Sequence, residues 1–340
     1  MKKKMITCLA IAALLPAIAG ANGYYALGFT SGYGTYENDG TWGSDTWLGS
    51  PATADAMASG DINGDGQNDL VANFGAGGVY AHMGAGWVAI SGNADKGLVV
   101  GDHNGDGIDD IVMSFSSGGT YKYDGATTAI TAVHAGSADS LAMGDLNGDG
   151  SDEVLMSFIG YGVYADDGAS QWSVNGGHAD LLAAGDIDGD GDDEVLMSFI
   201  SGGVWEYTTG AAVATQLHPT HSDLGLLAAD IDGDGDDEVI MNWTGWGINA
   251  NDGGWGLDTQ IHPVGTPSLA AGDADGDGKE ELLASWSGGQ TWRLNPGGTS
   301  VAISSYAPVV EVVAIPEPAT LGLFALVGGG MLWMRKRFTI

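Results

Sequence analysis

One nine-residue pattern, D-x-[DN]-G-D-G-x-x-[DE], occurs six times in this chain, starting at Asp61, Asp102, Asp145, Asp186, Asp230 and Asp273. Successive copies lie 41, 43, 41, 44 and 43 residues apart, so the chain repeats one supersecondary unit. Acids packed this densely repel one another unless they sit in a solvated tail or wrap around a cation. Each copy runs directly into an apolar stretch: LVANF from Leu70, IVMSF from Ile111, VLMSF from Val154 and again from Val195, VIMNW from Val239, and LLASW from Leu282. Solvated tails do not continue into buried strands, which leaves the cation.

Positions 1, 3, 5 and 9 of the pattern offer side-chain oxygens, position 7 can offer its backbone carbonyl, and glycine at position 6 permits the sharp turn that brings them together. The candidate ligands are Asp61, Asp102, Asp145, Asp186, Asp230 and Asp273 at position 1, and Asn63, Asn104, Asn147, Asp188, Asp232 and Asp275 at position 3. Asp65, Asp106, Asp149, Asp190, Asp234 and Asp277 stand at position 5. Gln67, Ile108, Ser151, Asp192, Asp236 and Lys279 fill position 7, and Asp69, Asp110, Glu153, Glu194, Glu238 and Glu281 fill position 9. Twenty-one of the 44 acids fall at positions 1, 3, 5 and 9, which offer side-chain oxygens. Hard, oxygen-only ligation selects calcium or magnesium over zinc, and a flexible loop with several carboxylates favours Ca2+, about six ions in all. An EF-hand is excluded, because its loop needs a glutamate at position 12 and flanking helices. The alternative is Asx-turn chemistry that caps strands without metal.

After each apolar run comes a Gly-rich turn, then a short aromatic alternation (GGVYAH, GGTYKY, YGVYAD, GGVWEY), then a weaker strand such as QWSV at Gln171. The run before the next loop, as in DLLAAGD at Asp180, makes a fourth strand. Four short strands in about 42 residues is the span of one propeller blade. The second-strand signature occurs seven times, because ALGFTSGYGTYENDG at Ala26 matches it without a preceding acidic loop. The first unit therefore lacks its leading strand, and PVVEVVA at Pro308 to Ala314 supplies one. The sequence predicts an all-β, seven-bladed β-propeller over 22–314, closed by pairing of C-terminal and N-terminal strands. A linear β-solenoid is the competing fold.

These units resemble FG-GAP/VCBS-type repeats, the blades of integrin α-subunit propellers and of many bacterial secreted proteins. The name-giving stretch survives best as Phe74-Gly75-Ala76-Gly77. The resemblance implies calcium in the loop between the first and second strands of a blade, and adhesion or ligand binding by the whole propeller. Fungal and bacterial propeller lectins with similar repeats place one binding site in each blade or each gap between blades.

The two ends carry a different signal. MKKKMITCLAIAALLPAIAG has a basic start, an apolar segment and small residues suited to cleavage after Ala19 or Ala21, and reads as a secretory signal over 1–21. Cys8, the only cysteine, would leave with it, so the exported body has no disulfide to staple it. At the other end, Pro316-Glu317-Pro318, a mostly small or apolar run from Ala319 to Met334 and the basic Arg335-Lys336-Arg337 resemble a PEP-CTERM sorting signal over 315–340. That resemblance implies transient membrane insertion through this helix, recognition by an exosortase-type processing protease, removal of the tail, and delivery to the cell surface or extracellular matrix. A plain C-terminal membrane anchor is the alternative. Six of the ten bases lie at these ends, within a formal charge of −34, and the body keeps Lys96, Lys122, Lys279 and Arg293. Such a surface repels phosphate backbones, which excludes nucleic acid as a partner.

Seven histidines invite a catalytic reading. His134, His178, His221 and His262 occupy similar places in their units, however, and Asp55, Asp95, Asp139, Asp180 and Asp223 recur six or seven residues before their loops. A catalytic group should be singular; the aspartates belong to the repeat and read as caps of the turn between blades, and the histidine spacing fits no zinc signature. Trp172, Trp205, Trp243, Trp246, Trp255, Trp286 and Trp292 offer aromatic faces suited to sugar stacking or to packing between blades. The expectation is a non-catalytic adhesion or glycan- or matrix-binding protein of the cell surface. A secreted polysaccharide hydrolase or lyase, or a purely structural matrix protein, are the alternatives.

Overall fold

A computed structural model describes residues 24–315 except 30–33, 39–42, 44, 51, 85, 211–212, 255, 274–276, 287–289, 296–298 and 305–308. The expected signal segment and sorting tail, Trp255 and Asp275 lie outside the described residues. Among the described residues there are seven four-stranded antiparallel sheets and one three-residue 3-10 turn, Gly75–Gly77. No helix among them is long and apolar enough to cross a membrane.

The first strands of the seven sheets are Val309–Ile315, Ala56–Gly60, Gly97–Gly101, Ser140–Gly144, Leu181–Gly185, Gly225–Ala229 and Ser268–Gly272. Each neighbours the next, and Ser268–Gly272 returns to Val309–Ile315, so the strands form a closed ring. The fold is a seven-bladed β-propeller, as the repeat count predicts. We number the blades from the one that contains Tyr24–Phe29.

That first blade is shared by the two ends. Val309–Ile315 runs antiparallel to Tyr24–Phe29, with Ala26 opposite Val313 and Leu27 opposite Val312, and Gly34–Asn38 and Thr46–Trp47 complete the sheet. In the other six blades the acidic loop joins the first strand to the second. In the first blade that junction falls between the chain ends, which explains why six loops serve seven blades.

The first strands of the second to seventh blades end on glycine or alanine. Gly185 has no room for a Cβ, because Ala228 of the next first strand and the Asp237 carboxylate already occupy the space. The core lies between blades: Val204 and Leu217 of the fifth blade share a cluster with Leu226 and Ile240 of the sixth and Leu269 of the seventh. The polar residue inside the MSF and MNW runs stitches neighbouring blades. Ser157 Oγ donates to Ala179 O at 2.8 Å, and Asn242 Nδ2 to Thr266 O at 2.8 Å. Outer strands such as Ile130–His134 and Asp258–His262 are largely exposed. Antiparallel order places the acidic loops on one face and the turns between second and third strands on the other.

Candidate metal centre

The loop is organised by its first aspartate. In the fifth blade the N–H of Asp190 donates to Asp186 Oδ1 at 3.0 Å and that of Gly191 to Asp186 Oδ2 at 3.0 Å. The same bonds recur on Asp61, Asp102, Asp145 and Asp273, and Asp230 keeps the bond from its position-6 glycine. The position-5 carboxylate takes the position-7 N–H, as Asp190 Oδ1 does from Asp192 at 3.0 Å. Gly189 and Gly191 adopt φ of 72° and 95°, a conformation that favours glycine and fixes it at positions 4 and 6.

Position 9 is the first residue of the second strand, so its carboxylate is drawn inward. Glu153, Glu194 and Glu238 each accept the position-2 N–H through Oε2, at 2.8, 3.0 and 2.9 Å. Burial pushes Glu194 up to about 7, with Asp188 and Glu206 adding to the rise against the Ile187 N–H. Burial likewise carries Asp69, Glu153 and Glu238 to about 7. Carboxylates held this close and this dry ionise readily only beside a cation.

Among the described residues, two loops bring three carboxylates within 4.8 Å of one another: Asp186, Asp188 and Glu194, and Asp230, Asp232 and Asp234. Glu194 is 0% exposed and its Oε1 has no hydrogen-bond partner. A buried orphan oxygen among all-oxygen donors fits a hard divalent ion. The loops of the second and fourth blades carry Asn at position 3, and its amide bonds the position-9 acid: Asn63 Nδ2 to Asp69 Oδ2 at 2.9 Å, Asn147 Nδ2 to Glu153 Oε1 at 2.6 Å. The third-blade loop differs. Its Asn104 Nδ2 turns to Asp124 Oδ2 at 3.3 Å, and Lys122 Nζ sits 2.7 Å from Asp110 Oδ2. In the seventh-blade loop Arg293 Nη1 lies 3.9 Å from Glu281 Oε1.

Position 8, which the ligand pattern passes over, clasps one blade to the next. The N–H of Asp193 donates to Asp145 O at 2.8 Å, while Asp193 Oδ2 accepts the Asp145 N–H at 3.0 Å. Asp109 holds Asp61 in the same way, and Asp152 holds Asp102. Asp237 and Glu280 donate their N–H groups to Asp186 O and Asp230 O. Burial pushes Asp109 up to about 6, Asp152 and Asp237 to about 7 and Asp193 to about 8, and Glu280 well above the ordinary range. The sequence signal was available: position 8 is acidic in five of the six copies. The clasping carboxylate also leaves no space for a Cβ on Gly60, Gly101, Gly144 and Gly185, the residues just before position 1. From the third blade on, the position-7 side chains interlock similarly, each lying against the position-4 glycine of the preceding loop, as Ile108 does on Gly64.

The histidines that the repeat grouped together fall into two classes, not one. His134, His218 and His262 end the outer strands, where Nδ1 accepts the N–H two residues on and the ring packs on Phe158, Trp243 or Trp286 of the following blade. His178 and His221 lie instead in the connections to the next blade; His221 Nδ1 is 2.8 Å from Ser198 Oγ. Sequence offsets merged the classes because unit lengths differ by a few residues. Asp95, Asp139, Asp180 and Asp223 cap the turn between the second and third strands of their own blades, at 2.8 to 3.0 Å from its first N–H. They cap turns, but turns within a blade and not, as the sequence suggests, the turn between blades.

On that turn face, between the fifth and sixth blades, opens a cleft of ≈ 480 Å³ lined by Ile200, Ser201, Pro219, Thr220, His221, Asp223, Trp243, Thr244, Gly245 and Trp246. Trp243 is buried and its Nε1 donates to His221 O at 2.8 Å, whereas Trp246 is 53% exposed. Trp172, Trp286 and Trp292 pack against the core, and Trp205 Nε1 donates to Gly202 O at 2.7 Å.

The PEP-CTERM protein-sorting motif matches residues 314–337. It implies export and membrane-associated sorting of a secreted or surface protein, and it is a substrate signal for exosortase processing. No curated protein matches the chain. Among solved structures, the chain is similar to an Agrocybe aegerita lectin studied for its specific recognition of non-reducing terminal N-acetylglucosamine, at 16% identity and a TM-score of 0.59 over 89% of this chain and 96% of that one. It is similar also to BBS1N, solved in complex with ARL6DN, at 15% identity and a TM-score of 0.57 over 86% of this chain and 99% of that one. At such identities the likeness is one of fold.

Proposed function

We propose that this chain is an FG-GAP-type, calcium-loaded propeller of the cell surface or extracellular matrix that binds glycan without catalysis. The observation that carries the reading is the cleft between the fifth and sixth blades, where exposed Trp246 offers a stacking face beside Asp223, Thr220 and His221. Asp223 accepts both the N–H and the hydroxyl of Thr244, at 2.9 and 2.6 Å. Its counterparts in other blades make the same backbone bond, which supports a structural and binding role over an acid–base one. Calcium on the opposite face fixes the blades, and the body it stabilises presents the cleft.

The test is a glycan array probed with the full chain in calcium, in chelator, and as Trp246→Ala. A carbohydrate hit that W246A loses at unchanged melting temperature is the expected result. Hits that ignore the substitution would overturn the cleft as the site, and release of reducing ends from a matrix polysaccharide would overturn the non-catalytic reading.

A further inference from the structure

One register position decides how each acidic loop is balanced. The residue on the third strand that pairs with the second residue after position 9 is Ala81, Lys122, Ala165, Glu206, Ala250 and Arg293 in blades two to seven. Residues two apart on a strand share a face, so this side chain stands diagonally across from the position-9 acid. Lys122 shows that it reaches, with Nζ 2.7 Å from Asp110 Oδ2, and Arg293 shows it again at 3.9 Å from Glu281 Oε1. In the fifth blade the same place holds another acid. Glu206 Oε2 is buried and has no hydrogen-bond partner, and neither has Glu194 Oε1 of the carboxylate group formed with Asp186 and Asp188. Two orphan buried carboxylate oxygens on one face suit a shared cation.

We propose that this third-strand residue grades the six loops, with Glu206 completing the tightest divalent-cation site in the fifth blade and Lys122 serving as a built-in cation that leaves the third-blade loop the weakest. The proposal rests on the calcium reading above and extends it to unequal sites. Affinity in oxygen-ligand sites follows ligand charge, so an added carboxylate strengthens a site and an ammonium on a ligand weakens it. The three blades with alanine at this position fall between.

The test is calorimetric titration of calcium into the metal-stripped full chain, beside Glu206→Gln, Glu206→Ala and Lys122→Ala. The expected result is more than one affinity class in the parent. E206Q and E206A should each weaken the tightest class about tenfold, and K122A should strengthen the weakest class by a similar factor. E206Q preserves shape and decides the matter even where a truncation fails to fold. K122A that melts in chelator but folds in calcium would also support the proposal, because the ion then replaces the ammonium. Calcium binding in a single class untouched by E206Q and K122A would overturn the proposal and leave the calcium reading standing. No calcium binding by the parent would overturn both.

Discussion

Asp193→Asn separates the two things that a clasping carboxylate does. Asp193 Oδ2 accepts the Asp145 N–H at 3.0 Å, and an asparagine keeps that acceptor while removing the ionisation. Burial, then Asp152 and Asp237, push the Asp193 carboxyl up to about 8, whereas an unfolded aspartate ionises near ~4. The folded value is the higher one, so the stability linked to this group is fully present below pH ~4 and is lost as pH rises through about 8. Between those limits one such group costs about 1.4 kcal/mol per pH unit. Over a body of about 290 residues this is roughly 2 °C of melting temperature per unit. The assay is differential scanning calorimetry of the chelated full chain from pH 5 to pH 8. The parent should lose stability steeply, because Asp109, Asp152 and Asp237 titrate upward with Asp193. D193N should lose about 2 °C per unit less. Asp193→Ala, which strands the Asp145 N–H, should instead cost about 1–3 kcal/mol already at pH 5. Parallel slopes for parent and D193N would mean that Asp193 is ionised in the fold, and the reasoning would fail.

Removing the closing strand should cost far more than removing the tail beyond it. A chain ending at Ser304 loses the ladder to Tyr24–Phe29 and should melt well below the parent or aggregate through the exposed edge, while a chain ending after Pro318 should melt unchanged; calorimetry and light scattering read both. Gly185→Ala should destabilise by about 1–3 kcal/mol, since its Cβ would collide with Ala228 and Asp237, whereas Gly176→Ala, with open space around it, should melt within a degree or so of the parent.

The fold was legible because repetition does the work of an alignment within one chain. The acidic loop marked where each second strand begins, and Ala26 to Gly40 matched the second-strand signature with no loop before it, which placed the first blade at the chain ends. The clasp escaped because Asp193 and its equivalents look in sequence like surplus charge; only the ring brings the position-8 carboxylate of one blade onto the position-1 backbone of the last. The histidines were misgrouped for a related reason. Offsets along the chain cannot separate the end of an outer strand from the connection that follows it, whereas packing of His134 on Phe158 and His262 on Trp286 can. Inequality of the loops was hidden too, because Lys122 and Glu206 become equivalent only through strand register.

The most direct measurement is thermal unfolding of the full chain at pH 7.5 in about 1 mM calcium against excess chelator. With dissociation constants of ~10⁻⁴ to 10⁻³ M, each loop adds roughly 0.4 to 1.4 kcal/mol by mass action and six add about 2 to 8. A rise of about 3 to 13 °C in calcium is the expected result. An identical melting temperature in calcium and in chelator would contradict the calcium-loaded propeller.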